Sequence, residues 1–371
     1  MRRLLSVFCL LLAGLLPQAG NAAEVTDLAG RTVRLDRPAE RILLGEGRYL
    51  AAIAILDRDA PLRRIAGMMG EFPLLDPGGY AQWTAQFPAL TGIPLVGKAA
   101  PDSFSIESAI ALKPDLAVFG LAGHGPGPQQ TETIAALEAA GIRVAFIDFF
   151  LDPVAHTTRS IALLGALMGR QAEATAFAAA YETELRRVTA PLAGVTRRPR
   201  VFLENRVGLQ EACCASVGNG VIGRLVEQAG GRNMAADLIP GQIGTVSLEY
   251  LLANQPDIYL GTAIGSTWTA EKLPQRIAMG PGVPAAMAQA SLRHSLQRTG
   301  IADLQAVRQG RAYALWHHFF HSPFNVVALQ AMATWFHPDL FAGLDPAATH
   351  RDLVRRFQPV PLEGTYWTTA R

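Results

Sequence analysis

The chain is 371 residues long, 50% hydrophobic, 17% charged, and nearly balanced at a formal charge of +2. That length allows two domains of ordinary size, each with a core of its own. The balance excludes a general attraction to nucleic acid or anionic lipid, and a count of three cysteines excludes a disulfide-stapled scaffold.

Arg2 and Arg3 precede an almost wholly apolar run over 4–16, and Gly20-Asn21-Ala22-Ala23 supplies small residues for cleavage. The run is too short to span a bilayer, and Cys9 lacks the small neighbours of a lipoprotein site. Residues 1–23 therefore read as a signal peptide. Without Arg2 and Arg3 the formal charge falls from +2 to 0. The remaining cysteines, Cys213 and Cys214, are adjacent and cannot staple distant segments.

Residues 24–38 predict a hairpin turning at Ala29-Gly30. Strand and helix patterns then alternate: strand 41–46, helix 48–57, strand 64–69, helix 105–112, strand 115–121, helix 131–141, strand 143–148. Such alternation predicts parallel sheet covered by helices. Over 153–188 the rhythm breaks. Ile161, Leu164, Leu167, Met168, Phe177, Tyr181 and Leu185 recur at helical spacing, as one long helix or two with a break near Gly169. A second lobe restarts with strand 200–206, helix 220–229, helix 247–254, strand 257–262, strand 311–317 and helix 323–336, with a surface helix at 345–357. Segments 70–92 and 263–285 are Pro/Gly-rich and weakly periodic, so they are expected to be loops over a cleft.

One stretch occurs twice. SIESAIALKPDLAVF (105–119) and SLEYLLANQPDIYLG (247–261) match at Ser105/Ser247, Glu107/Glu249, Ala111/Ala253 and Pro114-Asp115/Pro256-Asp257, always at the same offset (247 − 105 = 257 − 115 = 142). Each copy is a Ser N-cap, a first-turn Glu, a short apolar helix, a Pro stop and a buried strand. The expected architecture is α/β: a lobe over 24–152, a connecting helix within 153–188 and a lobe over 189–371, with a binding cleft between.

These repeat helices, the helical spine, AGGRN (229–233), VRQGRAYAL (307–315) and WFHPDLF (335–341) resemble the periplasmic substrate-binding proteins of iron–siderophore and cobalamin ABC importers. The resemblance covers essentially the whole mature chain. It implies a class III periplasmic binding fold, a metal chelate held between lobes, a periplasmic location, and delivery to an ABC permease in the inner membrane by a monomeric receptor. Glu107 and Glu249 match the family's docking carboxylates, one per lobe.

Ligand residues are expected beyond the strand carboxyl ends. Glu46, Arg48 and Tyr49 follow the first strand; Glu204 and Arg206 follow the strand opening the second lobe. The two arginines can fork onto carboxylates, catecholates or hydroxamates, and Glu46 and Glu204 can hold them in place. Tyr80, Trp83 and Trp268, in the two loop segments, offer flat faces to a bulky chelate. His317, His318 and His321 form the sharpest cluster, as ligand contacts or metal ligands. Cys213 and Cys214 are read as a vicinal disulfide, as thiols near a soft metal, or as a buried inert pair. The cargo expected is a ferric siderophore, with haem, cobalamin or a nickel or cobalt chelate as alternatives and no resident cofactor. No G-x-S-x-G, HExxH or phosphate loop occurs, so a transport receptor is favoured over a secreted two-domain enzyme.

Overall fold

The computed structural model describes residues 22–209 and 213–371; the apolar run of the leader lies outside them. Among the described residues no helix is long and apolar enough to cross a membrane.

The first lobe is built on a four-stranded parallel sheet, ordered Ile65–Met68, Ile42–Leu44, Leu116–Gly120, Arg143–Ile147. Its strands are buried on both faces, as their continuous apolar runs require. The hairpin Ala23–Thr26/Thr32–Leu35 precedes it, turning through Gly30. In the second lobe Arg200–Glu204, Ile258–Ala263 and Ala312–Trp316 run parallel. This sheet is mixed, contrary to the all-parallel expectation. Ala215–Val217 and Trp367–Thr369 join antiparallel, and Ile243–Thr245 extends that edge. No helix separates Glu204 from Ala215 among the described residues, and a parallel return needs a crossover.

The sequence repeat is a structural repeat. Asp115 accepts the amides of Glu40 (2.8 Å) and Arg41 (3.0 Å), while Asp257 accepts that of Arg200 (2.8 Å). In return Arg41 donates to the carbonyls of Leu112 and Lys113 at 2.6 and 3.1 Å. Arg200 donates to those of Asn254 and Gln255, at 2.8 and 2.7 Å. Each Pro-Asp thus clips its helix end to the start of the neighbouring strand, and each arginine covers the orphan carbonyls there. Lys113 and Gln255 both adopt positive φ, at 50° and 33°.

Between the sheets the connection is two helices, Pro153–Met168 and Gln171–Leu192, packed on each other. Gly169 breaks them in the left-handed region (φ 66°), which costs a glycine little. The second helix packs against the almost wholly buried Asn325–Phe336 helix, where Tyr181 Oη donates to Asn325 Oδ1 at 2.6 Å. One core cluster runs from Ile42, Leu44 and Ile147 through Leu164 and Phe177 to Val201, Leu203 and Leu260.

Of the two segments expected as loops, 70–92 is largely helical, whereas 263–285 is mostly loop around one short helix. Asp76 caps the helix Pro77–Gln86, accepting from Gly79 N at 3.0 Å; Asp-Pro at a helix start was the sequence signal. Thr267–Lys272 is a short helix with a capping box at Ser266.

Candidate functional site

Strand carboxyl ends of both lobes converge on one cavity of about 360 Å³. Its polar lining is His124, Asn205, Arg206, Gln242, His317, His318 and His321. Leu75, Phe150, Val217, Val221, Ile222, Ile243, Ile264 and Phe320 form most of the remainder. Among the described residues that line it, Arg206 is the one arginine and there is no carboxylate.

Arg48 is not a free clamp. The strand Ile42–Leu44 ends in the turn Gly47–Tyr49, whose amides Gly47 N and Arg48 N donate to Glu71 at 3.0 and 3.1 Å. The Arg48 guanidinium pairs with Glu46 (2.8 Å) and Glu71 (3.5 Å), all three side chains almost fully buried. It also donates to Nδ1 of His318 at 2.7 Å and lies 3.1 Å from Nδ1 of His124. Burial, then the neighbouring Glu46 carboxylate, pushes the Glu71 carboxyl up; Arg48 opposes them. This polar floor joins the two lobes.

His124 follows the strand Leu116–Gly120. Its amide donates to Glu46 Oε1 at 2.9 Å, and its Nδ1 lies 3.3 Å from the same oxygen. Gly123 makes this approach possible, because a Cβ there would collide with the Glu46 carboxylate and its φ is 147°.

In the second lobe Arg206 leaves its strand at φ 50°. Its amide donates to Thr262 Oγ1 at 2.7 Å, and that oxygen lies 3.0 Å from Nδ1 of His317. Burial, then Arg276, disfavours the Arg206 charge. The strand Ala312–Trp316 runs into the turn His317–His321. His318 Nε2 donates to the Leu75 carbonyl at 2.9 Å. Burial, followed by nearby cationic groups, holds His317, His318 and His321 well below the usual imidazole range, so all three are neutral at physiological pH.

Of the residues read from the sequence, Arg206, His317, His318 and His321 line the cavity, and Arg48 and Glu46 lie beneath it. Others stand elsewhere. Glu204 does not hold Arg206; it takes a bidentate pair from Arg298 (2.7 Å each) and a hydrogen bond from Tyr259 Oη (2.5 Å). Tyr49 is in the core, edge-on to Phe149. Trp83 is 2% exposed, beside Phe87 and a neighbouring cavity of about 50 Å³ that shares His318 and His321 with the cleft, because its segment is a helix and not a loop. Tyr80 packs on Phe72, and Trp268 is 60% exposed outside the cavity lining.

Cys213 and Cys214 are placed as a vicinal pair with their sulfurs together, away from the cavity lining. Among the described residues no group of three or more His, Cys, Asp or Glu is placed to hold a metal ion. The sequence reading missed His124 and Glu71. His124 was findable, since it follows a strand carboxyl end within the glycine-rich HGPG. Glu107 and Glu249 are both exposed, in first turns capped by Ser105 and Ser247.

Two α/β lobes, a helical connection and a cavity at the strand ends give the chain the build of a two-lobed binding protein. It belongs to the periplasmic binding protein family, whose sequence model matches residues 83–315. A cobalamin-binding protein of Halobacterium salinarum is 27% identical over 239 residues, covering 62% of this chain and 56% of that protein. The chain therefore spans little more than half the length of that relative. Among solved structures, the TroA-like periplasmic binding protein FepB from Veillonella parvula is 27% identical. It superposes with a TM-score of 0.82, covering 94% of this chain and 100% of that one. The molybdate-binding protein MolA of Haemophilus influenzae, 18% identical, shares the fold at a TM-score of 0.66 over 90% of this chain and 97% of its own.

Proposed function

We propose that this chain is a periplasmic receptor that holds a metal chelate in the interlobe cleft and presents it to an ABC permease of the inner membrane. The observation that carries the reading is the convergence of four imidazoles, from both lobes, on one cavity without a carboxylate among its described lining residues. Neutral imidazoles offer lone pairs to a metal or accept hydrogen bonds from its chelator. Arg206 supplies the positive charge, since Arg48 is committed to Glu46 and Glu71. A chelate of low negative charge suits this cleft better than a highly charged one. A ferric siderophore of that charge class is the cargo we favour; haem, cobalamin and a nickel or cobalt chelate share the required chemistry.

Docking is assigned to Glu107 and Glu249. Each acid sits where the helix dipole favours negative charge, and one per lobe gives two points for two arginine sites on a permease dimer. Residues 1–23 supply export. Native mass spectrometry of protein taken from its own periplasm tests the reading. An organic chelator carrying iron supports a siderophore, and a tetrapyrrole or corrinoid replaces it with an alternative. A tightly held bare ion, with no chelator, would sink the proposal.

A further inference from the structure

The second lobe carries another concavity, a groove of about 500 Å³ at the amino ends of its parallel strands. Pro199 precedes the strand Arg200–Glu204, Asp257 precedes Ile258–Ala263 and Arg311 precedes Ala312–Trp316, and all three line the groove. The cleft takes Arg206, Ile264 and His317 from just beyond the other ends of the same strands. The length of the strands therefore separates the two concavities.

The groove is rich in donors that lack acceptors. Arg197, Arg311 and Arg371 all line it, and among the described residues none of the three has a carboxylate partner. Arg371 gives one hydrogen bond to the Gln309 carbonyl at 3.0 Å. Arg311 is half-buried, and among the described residues its guanidinium has no partner at all. Asp257 is the one acidic side chain in the described lining, and it is already held by Arg200, through the amide at 2.8 Å and the guanidinium at 3.5 Å. The helix Asn325–Phe336 ends at this groove, yet none of the three arginines donates to its last carbonyls, so helix capping does not account for them.

The remaining wall is aromatic. Tyr313 and Trp335 stack in parallel, with centroids 4.6 Å apart and 8° between their planes. Neither Tyr313 Oη nor Trp335 Nε1 has a hydrogen-bond partner among the described residues. Burial raises the Tyr313 hydroxyl, and Arg311 and Arg371 oppose it, which puts both cations near that ring. Three guanidinium groups around one concavity repel one another, and donors withdrawn from water without acceptors cost stability. An acceptor-rich anion relieves both. Forked N–H pairs suit phosphate, sulfonate or carboxylate groups, and a flat aromatic wall suits a ring. The volume lies within the range of small-molecule sites, and a concave groove fits such a molecule better than a membrane surface.

We propose that this groove is a second binding site, separate from the cargo cleft, for a small planar anion bearing phosphate, sulfonate or carboxylate groups. Arg197, Arg311 and Arg371 hold its charged groups, and the Tyr313–Trp335 wall packs against its ring. The site does not depend on what the cleft binds.

The test uses the mature protein with naphthalene disulfonate, a rigid planar dianion, as the probe, followed by calorimetry and tryptophan fluorescence. Wild type should bind one equivalent. Arg197→Gln and Arg311→Gln should each weaken it about tenfold or more, the loss expected for a charge-assisted hydrogen bond. Arg206→Gln, which alters only the cleft, should leave the probe's affinity unchanged. Naphthalenediol, the same ring without the charges, should bind about tenfold more weakly or not at all. Absence of binding to wild type, or full affinity in Arg311→Gln, overturns the proposal. So does a loss of affinity in Arg206→Gln, which would place the probe in the cleft. Where Arg311→Gln fails to fold by circular dichroism, nuclear Overhauser contacts between the probe and the Trp335 indole of wild type decide: their presence supports the site and their absence refutes it. Vesicles of phosphatidylglycerol supply the other source of such anions. Co-sedimentation of wild type that Arg311→Gln abolishes, without binding of the probe, would assign these arginines to a lipid surface and overturn the small-molecule site.

Discussion

Nη1 of Arg48 lies 2.7 Å from Nδ1 of His318, a contact between the lobes and between residues 270 positions apart. A guanidinium only donates, so Nδ1 must accept and Nε2 must carry the proton given to the Leu75 carbonyl. One hydrogen bond thereby selects the tautomer of a histidine on the cleft floor.

Arg48→Met should be severely destabilising. It strands Glu46 and Glu71, whose side chains are 1% and 0% exposed. Leaving buried charge unpaired costs about 3–5 kcal/mol. Urea denaturation checks this; an unchanged midpoint would show that the carboxylates do not depend on Arg48.

Stability should fall in mild acid. His317, His318 and His321 have folded-state pKa values well below 6.5, so the unfolded chain binds more protons as pH drops below that value. Their contribution is complete above about pH 6.5 and is lost progressively below it, each by up to about 1.4 kcal/mol per pH unit. Asp76, pushed up to about 6 by burial, acts oppositely between its unfolded value and that pH. Glu71, also raised by burial, acts in the same direction as Asp76, so the loss is read at the upper end of the range, from pH 7 downward to 6. Urea midpoints that stay level across it would contradict neutral, buried imidazoles.

Glu204 separates stability from binding. Glu204→Ala leaves the buried end of Arg298 and the Tyr259 hydroxyl without their acceptor. We expect a loss of about 3–5 kcal/mol in stability with cargo affinity unchanged in the protein that remains folded. A selective loss of affinity would return Glu204 to the ligand site.

Arg206→Ala should weaken an anionic chelate by about 1.5–3 kcal/mol, the range for a hydrogen bond to a charged group. Fluorescence titration with the chelate recovered from the periplasm measures it. Unchanged affinity would remove Arg206 from the contact set.

Reversing both docking acids, Glu107→Arg with Glu249→Arg, should abolish uptake into reconstituted vesicles by setting like charge against like. Ligand binding should barely change, because neither residue lines the cavity. Intact transport, or joint loss of binding and transport, would refute the docking role.

Local signals carried much of this fold. Ser105 and Ser247 announce their helices by capping them, and Pro114-Asp115 and Pro256-Asp257 end them. The alternation of strands and helices likewise depends on neighbours in sequence. The site was legible only as residue types beyond strand ends. Arg48 looked available because Glu71 and His318 meet it only after folding, from 23 and 270 residues away. Glu204 was matched to Arg206 by adjacency, whereas its partner Arg298 is 94 residues distant. Trp83 was misplaced for a different reason: Asp76-Pro77 signalled a helix, but the glycines after it obscured the pattern.

The apolar cluster that links both sheets through the paired helices has a consequence for dissection and recombination. Neither half is a self-sufficient module. A fragment cut at Gly169 would carry one helix of the pair with its partner's apolar stripe exposed to water. Chimeras that exchange lobes between receptors should therefore move Pro153–Leu192 together with the Asn325–Phe336 helix it packs on, or they will aggregate before their specificity can be read.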